Sequence, residues 1–120
     1  MKIGGYISKM DSAASKISQG ARALAPDEVN AALSTLDGWA LTAGKLHRKF
    51  EFPDFAHAFG FMSAVAISAE SMQHHPEWLN VCSSVEVWLV THDARGISTR
   101  DLQLARRMND LFEGTRRVHE

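Results

Sequence analysis

Apolar side chains recur at helical spacing in three segments of the chain. The first segment begins at Pro26, which two acidic residues follow, as is usual in a first helical turn, and it ends at Gly38. The second runs from Pro53 to about Gln73, and the third begins after Ser98, a residue type that often caps a helix. The spacing therefore predicts three helices.

Four shorter segments alternate, or nearly alternate, between apolar and polar residues, which is typical of strands with one buried face. Two of them flank Gly44 and predict a hairpin. The other two lie between the second and third helices and are separated by a turn or bulge at 83–84, so that Cys82 falls inside a strand. In the last strand, the residues predicted to face the core are Val85, Val87 and Leu89. This order predicts an α+β fold, an α-β-β-α-β-β-α two-layer sandwich whose four-stranded, largely antiparallel sheet carries the helices on one face.

The second predicted helix is apolar around most of its circumference. One stripe includes Phe55 and Phe59, and a second stripe includes Phe61 and Val65. A single small sheet can cover only one of these faces. The uncovered face predicts self-association through copies of the helix over residues 54–73.

Composition adds limits on size, partners and compartment. The 120 residues are 45% hydrophobic and 22% charged, with a formal net charge of −1, so a globular domain is expected and the basic excess of nucleic-acid binders is absent. The apolar runs fall short of a membrane span. We therefore expect no direct nucleic-acid or membrane partner. The single cysteine, Cys82, favours a reducing cytoplasm, with the nucleus as an alternative.

The first 25 residues differ in composition from the rest. They are rich in Ser and Ala and carry four basic side chains against one acid, Asp11. Organellar presequences have a similar composition, which leaves organellar targeting as an alternative to a cytoplasmic location. We expect instead an ordered arm over 1–25, packed on the domain over 26–120 or on a neighbouring chain, and we assign it no function.

Histidines are concentrated where the second helix gives way to a strand. Glu70 and His74 are four residues apart, a spacing that on one helix face allows a carboxylate to orient an imidazole. His75 follows directly, and His92 ends a later strand with Arg100 nearby. Convergence of these imidazoles predicts a polar site suited to acid-base chemistry. Two alternatives remain: a histidine that only interacts with the helix C-terminal dipole, and a metal site, for which the chain lacks a second pair of regularly spaced ligands.

Four short motifs surround these histidines. They are Glu-x-x-x-His-His-Pro-Glu-Trp at 70–78, Thr-His at 91–92, Ser-x-Arg-Asp-Leu at 98–102 and Ala-Phe-Gly-Phe-Met at 58–62. In this combination the chain, from about Pro26 to Phe112, resembles the pterin-4a-carbinolamine dehydratases, which in animals are also known as the dimerization cofactor of a homeodomain transcription factor.

The resemblance implies an activity and a set of partners. The implied reaction is dehydration of 4a-hydroxytetrahydropterin to the quinonoid dihydropterin, a hydro-lyase step that recycles the tetrahydrobiopterin-type cofactor of aromatic amino acid hydroxylases. Neither a metal nor an organic cofactor is implied, because the pterin is the substrate. A homodimer or homotetramer through the helix over 54–73 and a sheet edge is implied as well. The alternative is a non-catalytic dimerization or coactivator module that binds a helical partner, such as a transcription factor.

By position, the resemblance also assigns roles to individual residues. The implied catalytic residues are His74, His75 and His92. The implied supporting residues are Glu70, Arg100 and Asp101. The implied substrate-binding residues are Gln73, His74, His75, Trp78, Val90, Thr91 and His92. We expect His74 and His92 to exchange protons with the hydroxyl and N5 of the pterin, and His75 to bind and orient the ring. Gln73 stands where the family usually has an acid and Cys82 where it usually has an aromatic residue, so altered pterin affinity is expected.

Overall fold

Helices and strands alternate along the chain in the predicted order. The computed structural model describes the backbone of residues 21–119 and the side chains of residues 21–116, so most of the predicted arm over 1–25 lies outside the described residues. Within the described part, the helices are α1 (Pro26–Leu33), α2 (Phe55–Met72) and α3 (Thr99–His119), and the strands are β1 (Ala40–Thr42), β2 (Lys45–Glu51), β3 (Glu77–Val81) and β4 (Ser84–Leu89). A short 3₁₀ turn, His92–Ala94, joins β4 to α3. The predicted α+β order is confirmed.

The strands of the described residues form one antiparallel sheet in the order β1-β2-β4-β3. β1 and β2 are joined by Ala43 and Gly44, which both have a positive φ (51° and 79°). Two-residue hairpins whose twist matches that of the strands require this conformation. The hairpin predicted around Gly44 is therefore confirmed.

The second hairpin turns one residue earlier than predicted. Val81 pairs with Ser84, so the turn consists of Cys82 and Ser83. Cys82 has a φ of 51° and is exposed, and the prediction that it lies inside a strand is wrong. The side-chain amide of Asn80 donates hydrogen bonds to the carbonyls of Cys82 and Ser84 (3.1 and 2.8 Å) and closes the turn at this point. The alternation of apolar residues does not indicate such a polar contact.

The buried core lies between the sheet and the two long helices. Val85, Val87 and Leu89 of β4 are at most 1% exposed, as predicted for the inward face of this strand. The helix residues buried with them are Phe61, Val65, Ala69, Leu104, Ala105 and Met108. The layered arrangement thus holds the end of α2 and the beginning of α3 against the sheet, and these two ends carry the site.

Helix α1 ends earlier than its apolar pattern predicts. It stops at Leu33, and the chain continues through turns to Gly38, which has a φ of 82°. The hydroxyls of Ser34 and Thr35 donate to backbone carbonyls three residues earlier (2.6 and 2.7 Å). Side-chain bonds of this kind compete with the continuing helix ladder, which is why the helix ends here.

The segment before α1 is attached to the domain. The backbone N–H of Leu24 donates to the carbonyl of Ile97 (2.7 Å). Glu28, in the first turn of α1, accepts hydrogen bonds from the N–H of Ala25 (2.9 Å) and from the guanidinium of Arg22 (3.1 Å). The bond from Arg22, above all, lowers the pKa of Glu28 from 4.5 to about 2.

A polar cluster around Asn109 fastens the turn after α1 to α3. Asn109 Oδ1 accepts from Trp39 Nε1 (2.8 Å) and from Arg48 Nη1 (2.7 Å), while its Nδ2 donates to the carbonyl of Asp37 (3.1 Å). The guanidinium of Arg48 fills the space beside Gly38, where a Cβ would lie 2.5 Å from Arg48 Nε. Gly38 is thus required by both its conformation and its neighbour.

The outward face of α2 stays apolar and uncovered in a single chain. Phe55 and Phe59 are 56% and 55% exposed, and Ile67 is 74% exposed. On the opposite side of the same helix, Phe61 and Val65 are buried. None of the described helices combines the length and the hydropathy that a membrane span requires.

Candidate active site

The chain leaves α2 through a left-handed turn at Gln73, directly before two adjacent histidines that take different positions. Gln73 has a φ of 53° and a ψ of 42°, and the N–H groups of Gln73 and His74 donate back to carbonyls in the last turn of α2 (3.1 and 3.0 Å). This pair of bonds is the Schellman arrangement of helix ends. Pro76 then disfavours helical geometry at His75. As a result the His74 side chain is buried, at 8% exposure, and that of His75 is exposed, at 66%.

His74 is paired with a buried carboxylate from the first turn of α3. Its Nε2 lies 2.6 Å from Asp101 Oδ1, and the Asp101 side chain is fully buried. Asp101 Oδ2 accepts a hydrogen bond from the backbone N–H of Ser98 (2.9 Å), which is the capping interaction that begins α3. One carboxylate therefore starts a helix and holds an imidazole.

Two hydroxyls complete the surroundings of this carboxylate. Thr91 Oγ1 donates to Asp101 Oδ2 (2.8 Å), and Thr91 Oγ1 and Ser98 Oγ are 2.6 Å apart. Because a hydroxyl carries one hydrogen and Thr91 gives its own to Asp101, Ser98 is the donor to Thr91. Both hydroxyl residues are buried, at 3% and 0% exposure. The Asp101 carboxyl group thus has three hydrogen-bond partners, and its side chain is fully buried.

The free ring nitrogen of His74 opens outward. Among the described residues, no buried side-chain nitrogen or oxygen lacks a hydrogen-bond partner. His74 Nδ1 has no protein partner within those residues, so it must keep some contact with solvent. An ionised carboxylate can only accept, so it keeps a proton on Nε2 of the neutral ring and leaves a lone pair on Nδ1. This arrangement suits a base that takes a proton from a bound molecule.

Helical spacing predicted that Glu70 pairs with His74, but it does not. Its Oε1 lies 2.9 Å from His75 Nε2, and both side chains are largely exposed. The left-handed turn at Gln73 removes His74 from the helical path, so the four-residue spacing from Glu70 no longer places the two side chains on one face. His75 instead folds back over the end of α2.

His92 lies in the 3₁₀ turn after β4 and is paired with Glu77, the first residue of β3. His92 Nε2 is 3.3 Å from Glu77 Oε2, and Lys45 Nζ is 2.6 Å from Glu77 Oε1. The hydrogen bond from Lys45, more than the one from His92, lowers the pKa of Glu77. Glu77 belongs to the motif at 70–78, but neither Glu77 nor Lys45 was predicted to take part in the site.

The strand register brings the three histidines to one end of the sheet. Glu77 pairs with Trp88, so the residues that precede β3 and those that follow β4 meet at the same sheet end. The bonds from His74 to Asp101 and from Asp101 to Thr91 connect that end with the beginning of α3. The convergence of the three imidazoles on one pocket stays a prediction.

The remaining predicted site residues take different positions around this sheet end. The backbone N–H of Arg100 donates to Ser98 Oγ (3.3 Å), and the residue is half-buried. Trp78 is half-buried and packs against the core, and Val90 is half-buried after β4. Thr91 directs its hydroxyl to the buried carboxylate, and its backbone N–H donates to the carbonyl of Gly96 (2.9 Å). Both hydrogen-bond donors of Thr91 are therefore used within the protein.

Other features of the described residues lie away from the histidines. A shallow hollow of about 280 Å³ lies between α2 and α3 and includes Ala56, Gly60 and Leu111, towards the opposite ends of both helices. Cys82 lies at the far end of β3 from Glu77. Within residues 21–116, no three His, Cys, Asp or Glu side chains are grouped so that they could hold a metal ion.

Comparison with known families gives one consistent match. A family model described as pterin 4 alpha carbinolamine dehydratase matches residues 22–111. The chain is 48% identical over 91 residues to a Solibacter usitatus protein named "Putative pterin-4-alpha-carbinolamine dehydratase", with 76% of this chain and 96% of that protein covered. A Rhodopseudomonas palustris protein of the same name is 50% identical over 90 residues, which cover 73% of this chain and 89% of that one.

A solved structure has the same fold. The crystal structure of "transcriptional coactivator/pterin dehydratase from Brucella melitensis" superposes with a TM-score of 0.73 at 43% sequence identity. The superposition covers 75% of this chain and 98% of the Brucella chain. The region shared with these proteins includes all the histidines and carboxylates of the site described above.

Proposed function

The chain belongs to the pterin 4 alpha carbinolamine dehydratase family, and we propose that it dehydrates 4a-hydroxytetrahydropterin to the quinonoid dihydropterin. It is then a hydro-lyase that recycles a tetrahydrobiopterin-type cofactor, in the cytoplasm. The observation that carries the proposal beyond family membership is the buried His74–Asp101 pair, which leaves His74 Nδ1 without a partner among the described residues. The reaction requires no bound metal or organic cofactor.

The proposed chemistry moves two protons. Loss of water breaks the bond between C4a and its hydroxyl oxygen, removes the proton of N5, and forms a C4a–N5 double bond. His74 takes the N5 proton on Nδ1, and Asp101 stabilises the imidazolium that forms. His92, a solvent-exposed imidazole held by Glu77, donates a proton to the departing hydroxyl.

The pterin ring is proposed to lie against residues 73–75 and 90–92. His75 is exposed and held by Glu70, which suits a residue that binds and orients the ring rather than one that transfers a proton within a buried network. The remaining proposed substrate contacts at this sheet end are Gln73, Trp78 and Val90, and Arg100 is proposed as a supporting residue. Thr91 contributes through Asp101 rather than by a direct side-chain contact.

Alanine substitutions test the assignment of the two proton-transferring residues. His74→Ala and His92→Ala should each lower kcat by about 10²–10⁴-fold, the usual contribution of one positioned acid or base. His57→Ala, in the first turn of α2 and far from the site, is the matched control and should retain the wild-type rate. Carbinolamine dehydration is measured with purified full-length protein, and circular dichroism verifies folding. Wild-type rates in both His74→Ala and His92→Ala would overturn the assignment.

We also propose that the protein forms a homodimer or homotetramer through α2 and the β3 edge of the sheet. Phe59 on α2 and Leu79 on β3 are more than half exposed, although both lie in apolar stretches. Phe59→Glu and Leu79→Glu should each lower the molar mass measured by light scattering, because a carboxylate cannot be buried in such an interface without a partner. Leu41→Glu, on the opposite edge strand, is the control. An unchanged mass in both interface variants would contradict the proposal.

The alternative is a non-catalytic module that binds a helical partner through the same face of α2. The name of the Brucella protein includes the word coactivator, which supports this alternative for the present chain only by similarity. Turnover separates the two functions. A module would leave carbinolamine dehydration at its uncatalysed rate, whereas an enzyme accelerates it.

A further inference from the structure

We propose that Thr91 and Ser98 are positioning residues for the dehydration: their hydroxyls form a directed hydrogen-bond chain that orients Asp101 and thereby keeps the His74 proton on Nε2. The inference rests on the proposed function for its catalytic consequence, but not for its structural content. It concerns two hydroxyls that lie outside the reacting groups and that touch His74 only through Asp101.

The direction of this chain follows from the number of hydrogens available. Arg100 N–H donates to Ser98 Oγ (3.3 Å), and Ser98 Oγ donates to Thr91 Oγ1 (2.6 Å). Thr91 Oγ1 donates in turn to Asp101 Oδ2 (2.8 Å). Every hydrogen points towards the carboxylate, because the carboxylate is the only member without one. A chain with one direction strengthens each of its bonds.

The chain also explains why Asp101 faces His74 with its other oxygen. The terminal torsion of an aspartate is soft, so the side chain alone does not set the direction of its oxygens. Two donors from different elements, Thr91 Oγ1 and the Ser98 N–H, hold Oδ2. Oδ1 is then directed at His74 Nε2 (2.6 Å) and can only accept from it. The outward Nδ1 is thereby left with its lone pair.

A purely structural role for the hydroxyls predicts something different. Ser98 Oγ accepts from the Arg100 N–H in the first turn of α3, and loss of this cap lowers stability without changing which nitrogen of the His74 ring carries a proton. The positioning role predicts that removal of either hydroxyl lets Asp101 reorient and lets the His74 proton distribute between Nδ1 and Nε2. The tautomer of His74 therefore distinguishes the two roles, and it is measured without substrate.

The experiment uses full-length protein labelled with ¹⁵N-histidine. Long-range ¹H–¹⁵N spectra report the proton position on each ring, and His74→Ala identifies the His74 signals. Wild type should show the Nε2–H form alone, whereas Ser98→Ala and Thr91→Val should show a mixture. Ser98→Thr and Thr91→Ser, which retain the hydroxyls, should restore the wild-type spectrum. An unchanged His74 tautomer in both Ser98→Ala and Thr91→Val would overturn the proposal.

Kinetics add an independent measurement. Removal of one hydroxyl from the chain should lower kcat by about tenfold, the size expected from one hydrogen bond, with little change in KM. If Ser98 acts through Thr91, Ser98→Ala should have no further effect on kcat in a Thr91→Val protein. Full additivity of the two substitutions would contradict the chain. Because the tautomer is read without turnover, an inactive wild-type protein would refute the proposed function while the positioning of His74 could still be confirmed or refuted.

Discussion

Replacement of Asp101 by Asn changes one buried charge while it preserves the shape of the side chain. In the wild type, Oδ2 accepts from Thr91 and Ser98, and Oδ1 accepts from His74. An asparagine oxygen in the place of Oδ2 can keep the first two bonds. Its NH₂ group then faces His74 Nε2 and donates to it, because an amide nitrogen cannot accept. The proton of the neutral His74 ring must then move to Nδ1.

The consequence for catalysis follows from the position of Nδ1. In the proposed mechanism, a proton there removes the lone pair that His74 offers to the substrate, and the role of one general base is lost. We expect kcat to fall by about 10²–10⁴-fold, which corresponds to about 3–5 kcal/mol in activation free energy. Stability should fall by only about 1–3 kcal/mol, because charge-assisted bonds become neutral ones but the donors keep acceptors.

Three measurements test this expectation together. Stopped-flow dehydration of the carbinolamine gives kcat and KM, urea unfolding gives stability, and ¹⁵N spectra give the His74 tautomer. Asp93→Asn, an exposed residue of the neighbouring 3₁₀ turn, is the matched control and should behave as wild type. A wild-type rate in folded Asp101→Asn would contradict this role of Asp101. A loss of activity with an unchanged His74 tautomer would contradict it as well.

Further expectations concern stability. Gly38→Ala should destabilise the protein by about 2 kcal/mol, because alanine is strained at a φ of 82° and its Cβ would meet Arg48. The control is Gly60→Ala, which should be neutral or stabilising because Gly60 lies in a helix with open space around the added carbon. Equal urea midpoints for the two variants would contradict this expectation. In the folded protein the pKa of Glu28 is lowered from 4.5 to about 2, chiefly by Arg22. The ionised Glu28 therefore stabilises the fold above pH 4.5, and this contribution is lost as the pH falls towards 2. Glu28→Gln lacks the contribution at every pH. The difference in unfolding free energy between wild type and Glu28→Gln should therefore shrink over that pH interval, and a difference that stays constant there would refute the linkage.

The elements of the fold were predictable because their periods are strong. Alternation placed Val85 and Val87 correctly on the inward face of β4, and helical spacing located α2 and α3. Element ends were less predictable, since they depend on single hydrogen bonds. Hydrogen bonds from Ser34 and Thr35 end α1, and those from Asn80 close the β3–β4 turn. The spacing of apolar residues does not indicate such polar contacts.

The membership of the candidate site stays a prediction, whereas the pairing within it differs from the one predicted. The histidines and Asp101 were recognised from their motifs, yet Glu70 was expected beside His74 because the helix was assumed to continue in the right-handed sense. Because Gln73 is left-handed, Glu70 pairs with His75 and His74 pairs with Asp101. Glu77 was overlooked, because its contact with His92 joins residues that only the strand register brings together. Contacts that depend on tertiary structure have no local signature.

The double use of Asp101 ties enzymatic competence to a local event. The carboxylate that begins α3 is also the partner of His74, so when the first turn of that helix frays, the imidazole loses its acceptor at the same moment. Heat inactivation should therefore precede cooperative melting, and amide exchange at the start of α3 should follow the same temperature course as the loss of turnover.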